Sequence, residues 1–428
     1  MFSNINRRKF LIGTGASAIA LATATGQARA DTALRFAWWG GQSRAERTQK
    51  VVDLYASKNP GVTVSTEYLG WGDYWPKLTT EVSGGNAPDL IQMASDYLAD
   101  YASRGVLLPL EGLMPSPLDT SDFDAKLLSS GKIGNVQYAV PSGVNAVALI
   151  VNKTAFDEAG IPSPAHDTTW ADFAKNMADF TKATKRDGMF GSPDGSGMGP
   201  VLETWLRQRG KALYTADGAL GFDANDMGDW FQMWSDMRAS GAIVPPDVQA
   251  LDHGDVDNSL MTMGKAALGF MNSNQYVAVQ ALMKDALTLA PYPKVAADSK
   301  GGLYVKPTMF YSLSAKSADP KAAGALLNFI LRDPEATAIL GFERGIPASA
   351  AAMKGLSSSA EAASQLMVEY VAGLGDLAGE LPPNEPAGGG EVLDALTKAA
   401  EEVAFGTKDA KAGAADFVAA ATAILSRA

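Results

Sequence analysis

The run LRFAWWGGQSRAERTQKVVDLYASKNPGVTVSTEYLGWGDYW, Leu34 to Trp75, restricts the fold more than any other stretch of the chain. Leu34 to Trp39 is β-rich and stops at Gly40 and Gly41, where the backbone can turn sharply or approach a ligand. Thr48, Val51, Val52 and Tyr55 then recur at helical spacing, and Ser43 with Glu46 fits a capping box. Asn59-Pro60-Gly61 ends that helix, and Val62, Val64, Thr66 and Tyr68 alternate with polar residues as a strand does. The pattern is a βαβ unit, whose right-handed crossover makes the two strands parallel. Ligands of open α/β sheets gather at the carboxyl ends of such strands. Here that edge carries Trp38, Trp39, Gly40, Gly41 and Gln42, with Trp71, Tyr74 and Trp75 in an expected aromatic loop after the second strand.

The amino terminus is read separately from the fold. Arg7-Arg8-Lys9-Phe10-Leu11, a mildly apolar run and Ala28-Arg29-Ala30 predict a twin-arginine signal peptide over residues 1–30, and hence export to the periplasm. With no cysteine, structural disulfides and a lipid-modified cysteine are both excluded. Removing residues 1–30 would take the formal charge from -11 to -15, leaving 32 basic against 47 acidic residues. Such a balance argues against nucleic acid as a partner.

Further strand ends arrive at the same edge. Leu90 to Met93 is a short apolar strand ending at Ala94-Ser95-Asp96, where Asp96 either lines a cleft with Tyr97 and Tyr101 or caps the next helix. Lys132 to Ala139 reads as a hairpin turning at Gly134-Asn135. Pro141-Ser142-Gly143 is a plausible hinge, with Asn145 just before the apolar run Ala146 to Val151. Ala266 to Met271 runs into Asn272-Ser273-Asn274-Gln275-Tyr276, whose amides can both donate to and accept from hydroxyls. Helices are expected from Thr169, from Val201 and Asp226, after Asp319-Pro320 and Asp333-Pro334, and at the carboxyl terminus, whereas Glu380 to Glu391 is expected to be irregular.

Catalytic and metal signatures are scarce. Only His166 and His253 are present, so HExxH sites and a Cys/His nucleophile are excluded, and no G-x-S-x-G elbow occurs. Gly195, Gly197 and Gly199 match neither dinucleotide nor Walker spacing. Carboxylates are abundant without a marked pair, which leaves a two-carboxylate glycosidase open. What recurs at strand ends is Trp, Tyr, Asn, Gln and Asp, the residue types that offer ring faces to the CH side of a sugar and polar groups to its hydroxyls. Strand alternation sends Trp38 and Trp39 to opposite faces, and Trp39 is expected in the cleft with Trp71 or Tyr74 opposite.

LRFAWWGG, GVTVSTEYLGW, GNAPDLIQMASDYLADYASRGVLLPL, GVNAVALIVNKTAFDEAGI, TTWADF, GKAALGFMNSNQY, DPKAAGALLNFIL and RGIPAS together resemble the family-1 extracellular solute-binding proteins of bacterial ABC sugar importers. The WWGG start and EYLGW segment look more like the pectin and uronate oligosaccharide type than the maltodextrin type. Where the maltodextrin type has a tryptophan and a glutamate, this chain has Met93 and Asn145. The resemblance implies an α/β, two-lobed periplasmic binding protein of type II, each lobe a mixed sheet flanked by helices, with the ligand cleft between lobes. It implies lobes of residues 31–142 plus 306–350 and 146–302 plus 355–428, a carbohydrate ligand, ABC permease partners, a monomer, no cofactor, no metal and no catalysis. The ligand residues expected are Trp39, Gly41, Gln42, Trp71, Tyr74, Asp96, Asn145, Asn272, Gln275 and Tyr276. An acidic ligand would call on Arg44 or Arg207. A secreted carbohydrate-active enzyme and a binder of a non-sugar solute such as a polyamine are the alternatives.

Overall fold

The computed structural model describes residues 32–357, 361–383 and 385–427. The expected export signal, residues 1–30, lies outside the described residues. Strand β1 (Thr32–Trp39), helix α1 (Gln42–Lys58) and strand β2 (Val62–Leu69) form the βαβ unit, paired in parallel from Thr32 with Val62 to Trp39 with Leu69. Helix α1 buries Thr48, Val51, Val52 and Tyr55, the stripe that its spacing requires. Helix α2 (Trp71–Ser83) replaces the expected aromatic loop: despite Pro76, burial of Tyr74, Trp75 and Leu78 on one face holds it helical. Strand β3 (Leu90–Met93) lies parallel to β1 on its other side and leads into helix α3 (Ser95–Ser103).

The hairpin β4 (Lys132–Ile133) and β5 (Val136–Gln137) turns through Gly134 at φ +59. Six short strands follow: β6 (Val140–Pro141), β7 (Gly143–Asn145), β8 (Val147–Asn152), β9 (Leu268–Asn272), β10 (Leu287–Ala290) and β11 (Lys306–Pro307). Strands β12 (Phe310–Leu313) and β13 (Ile346–Pro347) complete the set among the described residues. The first sheet has the order β2-β1-β3-β12-β6, with β12 antiparallel to both neighbours. The second has the order β10-β8-β9 and is antiparallel.

Each sheet carries its own core. Leu34, Phe36 and Trp38 pack with Leu326, Leu327 and Ile330 on one face of the first sheet, and Ala37, Ile91 and Met93 pack with Tyr74 and Trp75 on the other. The second sheet's core gathers Trp170, Phe173, Trp205, Trp230 and Trp234 with Val392, Leu396 and Phe417. The helices around these cores begin where expected: Thr169 accepts the Asp172 N–H, Asp319 that of Ala322, and Asp333 those of Glu335 and Ala336. Asp223 and Asp226 form a reciprocal capping box that the Asp226 start had placed three residues late.

Between the two bodies lies a third sheet, ordered β11-β7-β13 and antiparallel at both junctions. Its strands approach so closely that a Cβ on Gly143 would sit 2.5 Å from the Ile346 carbonyl oxygen. Gly345, at φ +88, would likewise place a Cβ 2.3 Å from Thr308 Oγ1. The helix Ala350–Ser357 packs on the helices of the first body, and the helix Ala362–Ala372 on strand β10 of the second. No helix among the described residues is long and apolar enough to cross a membrane.

Candidate functional site

Strands β1, β2 and β3 end side by side, so α1, α2 and α3 all start at one edge of the first sheet. Facing that edge is a cavity of ≈ 480 Å³ that also takes residues from the second body. Its first wall is aromatic. The Trp39 ring meets Trp71 edge-on with centroids 5.1 Å apart, and the Tyr97 ring stacks on Trp75 at 3.7 Å and 16°. Trp38 points the other way, 1% exposed in the core, while Trp39 is half-buried at the cavity. The pleat of β1 thus separates two adjacent tryptophans into core and wall.

The opposite wall is polar with aromatic interruptions. Asn272 and Gln275 come from the exit of β9, Glu203 from the helix Gly199–Gln208, Tyr304 from the approach to β11 and Lys306 from its first position. Tyr304 donates its hydroxyl hydrogen to Glu203. Burial, chiefly, raises the Glu203 carboxyl above its ordinary range. Buried polar atoms that find no hydrogen-bond partner among the described residues include Asn145 Oδ1, Asn272 Oδ1 and the Tyr214 hydroxyl, all from residues of the cavity wall. Asn145 Nδ2 donates to Asn274 Oδ1 at 2.7 Å, and Asn274 Nδ2 to the Glu343 carbonyl at 3.0 Å, which ties the third sheet to both bodies.

Two helix starts are capped across the cleft. Neither α1 nor α2 has a side-chain cap of its own, since the positions before them are Gly41 and Gly70. Instead Asp257 Oδ2 accepts the Gln42 N–H at 2.9 Å and Asp255 Oδ1 accepts the Trp71 N–H at 3.0 Å. Both carboxylates belong to the loop Asp252–Ser259 of the second body, and each sits at the positive end of a helix. The expected Ser43–Glu46 capping box does not form, because its place is taken from 215 residues away.

Arg44 borders the cavity with its guanidinium engaged by the protein. Its Nε donates to Glu343 at 2.7 Å and its Nη1 to the Trp39 carbonyl at 3.0 Å, with both partners of the ion pair buried. Desolvation lowers the Arg44 pKa and the Glu343 carboxylate opposes that shift. Arg344 completes the network through Glu343, Thr48 and Gln92. Arg207 turns instead to the carbonyls of Gly302 and Glu380 and covers the Tyr304 ring.

Of the residues expected at the ligand, Trp39, Gly41, Trp71, Asp96, Asn145, Asn272 and Gln275 border the cavity together. Three lie elsewhere. Tyr74 is 3% exposed and bonds the carbonyls of Ala37 and Gln92, and Tyr276 is 4% exposed and bonds that of Leu287. Gln42 is exposed, its amide turned to Glu46 and to the Tyr68 hydroxyl, so only its backbone meets the other body. Trp71 stands beside Trp39 rather than opposite it. Tyr101 is core, while its neighbour Tyr97 faces the cavity.

Sequence reasoning missed Glu203, Tyr214, Tyr304, Lys306 and Glu385, all at the cavity, and the capping pair Asp255 and Asp257. The alternation of Asp252, Asp255 and Asp257 around Gly254 was a usable signal for a polar functional loop. Glu385 was hidden by its setting in the Pro- and Gly-rich run Glu380 to Glu391, whose last residues already belong to the helix Gly389–Ala404.

A putative binding protein of Brucella abortus is 27% identical over 227 residues, which are 51% of this chain and 53% of that protein. A probable sugar-binding periplasmic protein of Rhizobium meliloti is 29% identical over 176 residues, 40% of this chain and 41% of its own length. The chain spans about half the length of the curated relatives it matches. A periplasmic oligogalacturonide binding protein from Yersinia enterocolitica, solved with saturated digalacturonic acid, has a TM-score of 0.83 at 21% identity. That likeness covers 92% of this chain and 99% of the other and concerns the fold. Residues 41–337 match the family described as bacterial extracellular solute-binding protein, and to that family this two-lobed chain belongs.

Proposed function

We propose that the protein is the exported solute-binding component of an ABC importer, taking a sugar or short oligosaccharide between its lobes and delivering it to a membrane permease. The observation that carries the reading is the cavity wall itself. Trp39, Trp71 and Tyr97 offer ring faces on one side, and Asn145, Asn272 and Gln275 offer amides on the other. Apolar faces with a few convergent polar groups are what an enclosed small-molecule site needs. The Asn145 and Asn272 oxygens, lacking donors within the described chain, are suited to accept ligand hydroxyl hydrogens.

The third sheet is the hinge in this reading, with the described residues up to 142 and from 306 to 357 in the first lobe and the other described residues from 146 on in the second; the first lobe so takes the whole helix Ala350–Ser357, which the expected boundary at 350 had cut. The protein acts as a periplasmic monomer after twin-arginine export. Calorimetry of the mature protein against neutral, amino and uronic mono- to trisaccharides tests the proposal. Heat of binding with intact sugar recovered supports it; no binding to any sugar, or recovery of cleaved product, overturns it.

A further inference from the structure

We propose that the ligand carries a protonated amine, held between Asp96 and Glu385 beside the Tyr97 ring. The inference rests on the carbohydrate reading and narrows it to an amino sugar. The pair is assembled from both lobes: Asp96 lies in the first turn of α3, and Glu385 just before the helix Gly389–Ala404. Both line the one cavity, and both reach Gly389, where a Cβ would lie 3.2 Å from Glu385 Oε2 and 3.3 Å from the Asp96 main-chain oxygen. A Cβ on Gly390 would lie 2.4 Å from the Tyr97 ring.

Glu385 Oε2 is enclosed and meets no hydrogen-bond donor among the described residues. Burial, then the adjoining Asp96 and Glu203 carboxyls, push Glu385 well above the ordinary carboxyl range, so Glu385 keeps a proton that an exposed carboxyl would lose. Lys306 opposes this only in part, Arg44 is engaged by Glu343, and Arg207 is engaged by carbonyls. The remaining titratable groups that face Glu385 are phenols, Tyr97, Tyr214 and Tyr304. Tyr214 is 5% exposed and its hydroxyl has no partner among the described residues.

An ammonium group answers this arrangement on three counts. It brings a positive charge to two carboxyls of one cavity, it supplies a donor to Glu385 Oε2, which has none among the described residues, and it can lie against an aromatic face. A neutral polyol leaves the Glu385 proton where it is, and a uronate brings a further negative charge to a wall of carboxyls. A metal ion would meet the same charge need, but no group of three ligating side chains converges among the described residues.

The test is calorimetry at pH 6 in two buffers of different ionisation enthalpy, with chitobiose, N,N′-diacetylchitobiose, cellobiose, digalacturonic acid and putrescine. Chitobiose should bind at least tenfold more tightly than the three other disaccharides and release protons, and Glu385→Gln should shrink that preference to within about threefold. Tighter binding of a neutral or uronic disaccharide overturns the amine and leaves the carbohydrate reading standing. Putrescine binding with no sugar bound supports the amine site and overturns the carbohydrate reading; no binding at all overturns both. A ligand-free measurement guards the premise. Because the folded protein holds a Glu385 proton that the unfolded chain gives up, stability is lost as pH rises, and Glu385→Gln removes that loss. The thermal midpoint of the variant should therefore gain on the parent between pH 5 and pH 8; a difference independent of pH overturns the retained Glu385 proton.

Discussion

The contacts of Asp255 and Asp257 with two helix starts define a latch whose strength can be worked out. Each carboxylate accepts one otherwise orphaned N–H, that of Trp71 or Gln42, at 3.0 and 2.9 Å. Loss of an N-cap acceptor costs about 1 kcal/mol, and the charge at an exposed helix end, about 0.3–1 kcal/mol at low ionic strength, is screened in ordinary salt. Removing either aspartate should thus weaken closure by roughly 1 kcal/mol, about fivefold in the closed-to-open ratio, and removing both by about thirtyfold. Amide hydrogen exchange reads this directly, because neither N–H has an acceptor within its own helix. In Asp257→Ala the Gln42 amide loses its protection locally, while the Trp71 amide, still facing Asp255, should exchange about fivefold faster because the lobes part more often. Gly41→Ala gives an independent perturbation. Its backbone, at φ -79 and ψ -179, suits any residue, yet a Cβ there would sit 2.7 Å from both Asp257 carboxylate oxygens. If Trp71 exchange is unchanged in both Asp257→Ala and Gly41→Ala, the two caps do not report a common closure and the latch is refuted.

Other consequences follow from burial. Glu343→Gln leaves the guanidinium groups of Arg44 and Arg344 buried without their carboxylate and should cost about 3–5 kcal/mol in urea denaturation; a loss under about 1 kcal/mol would mean that solvent reaches the pair. Trp38→Ala should destabilise by about 3–5 kcal/mol. Trp39→Ala, at the cavity, should lower sugar affinity by more than tenfold with a smaller stability loss, and the reverse pattern would invert the two faces of β1. Thr169→Ala removes the acceptor of the Asp172 N–H and should cost about 1 kcal/mol in the same denaturation assay, with sugar binding unchanged.

The first βαβ unit was legible because its information is local. A two-residue period, a helical stripe and an Asn-Pro-Gly stop fix β1, α1 and β2, and the same pleat separates Trp38 from Trp39. The Asp-Pro helix starts at 319 and 333 were legible for the same reason. Where residues far apart decide, the reading failed. Glycine, proline and clustered rings at 70–76 suggest a loop, yet burial of Tyr74 and Trp75 under the first sheet makes a helix. Ser43 and Glu46 have the right spacing for a cap that Asp257 supplies from another lobe. Arg44 looks like a solvent-facing first-turn residue until Glu343, 299 positions away, closes on it. Residue type marked Tyr74 and Tyr276 as sugar ligands, but only packing shows that their hydroxyls are spent on carbonyls.

If the protein delivers a solute to a permease as proposed, the sheet β11-β7-β13 has a mechanical consequence for that transport. Independent linkers would allow one lobe to swivel and slide as well as rock, and each added freedom would scatter the open state over more orientations. Strands laced side by side by hydrogen bonds flex as one leaf, with Gly143 and Gly345 leaving no room between them for a side chain. Rocking is then the soft coordinate and the rest are stiff, so the two lobes return to the same docking geometry at every cycle. A permease that reads the spacing of two lobes needs that repeatability more than it needs any single contact.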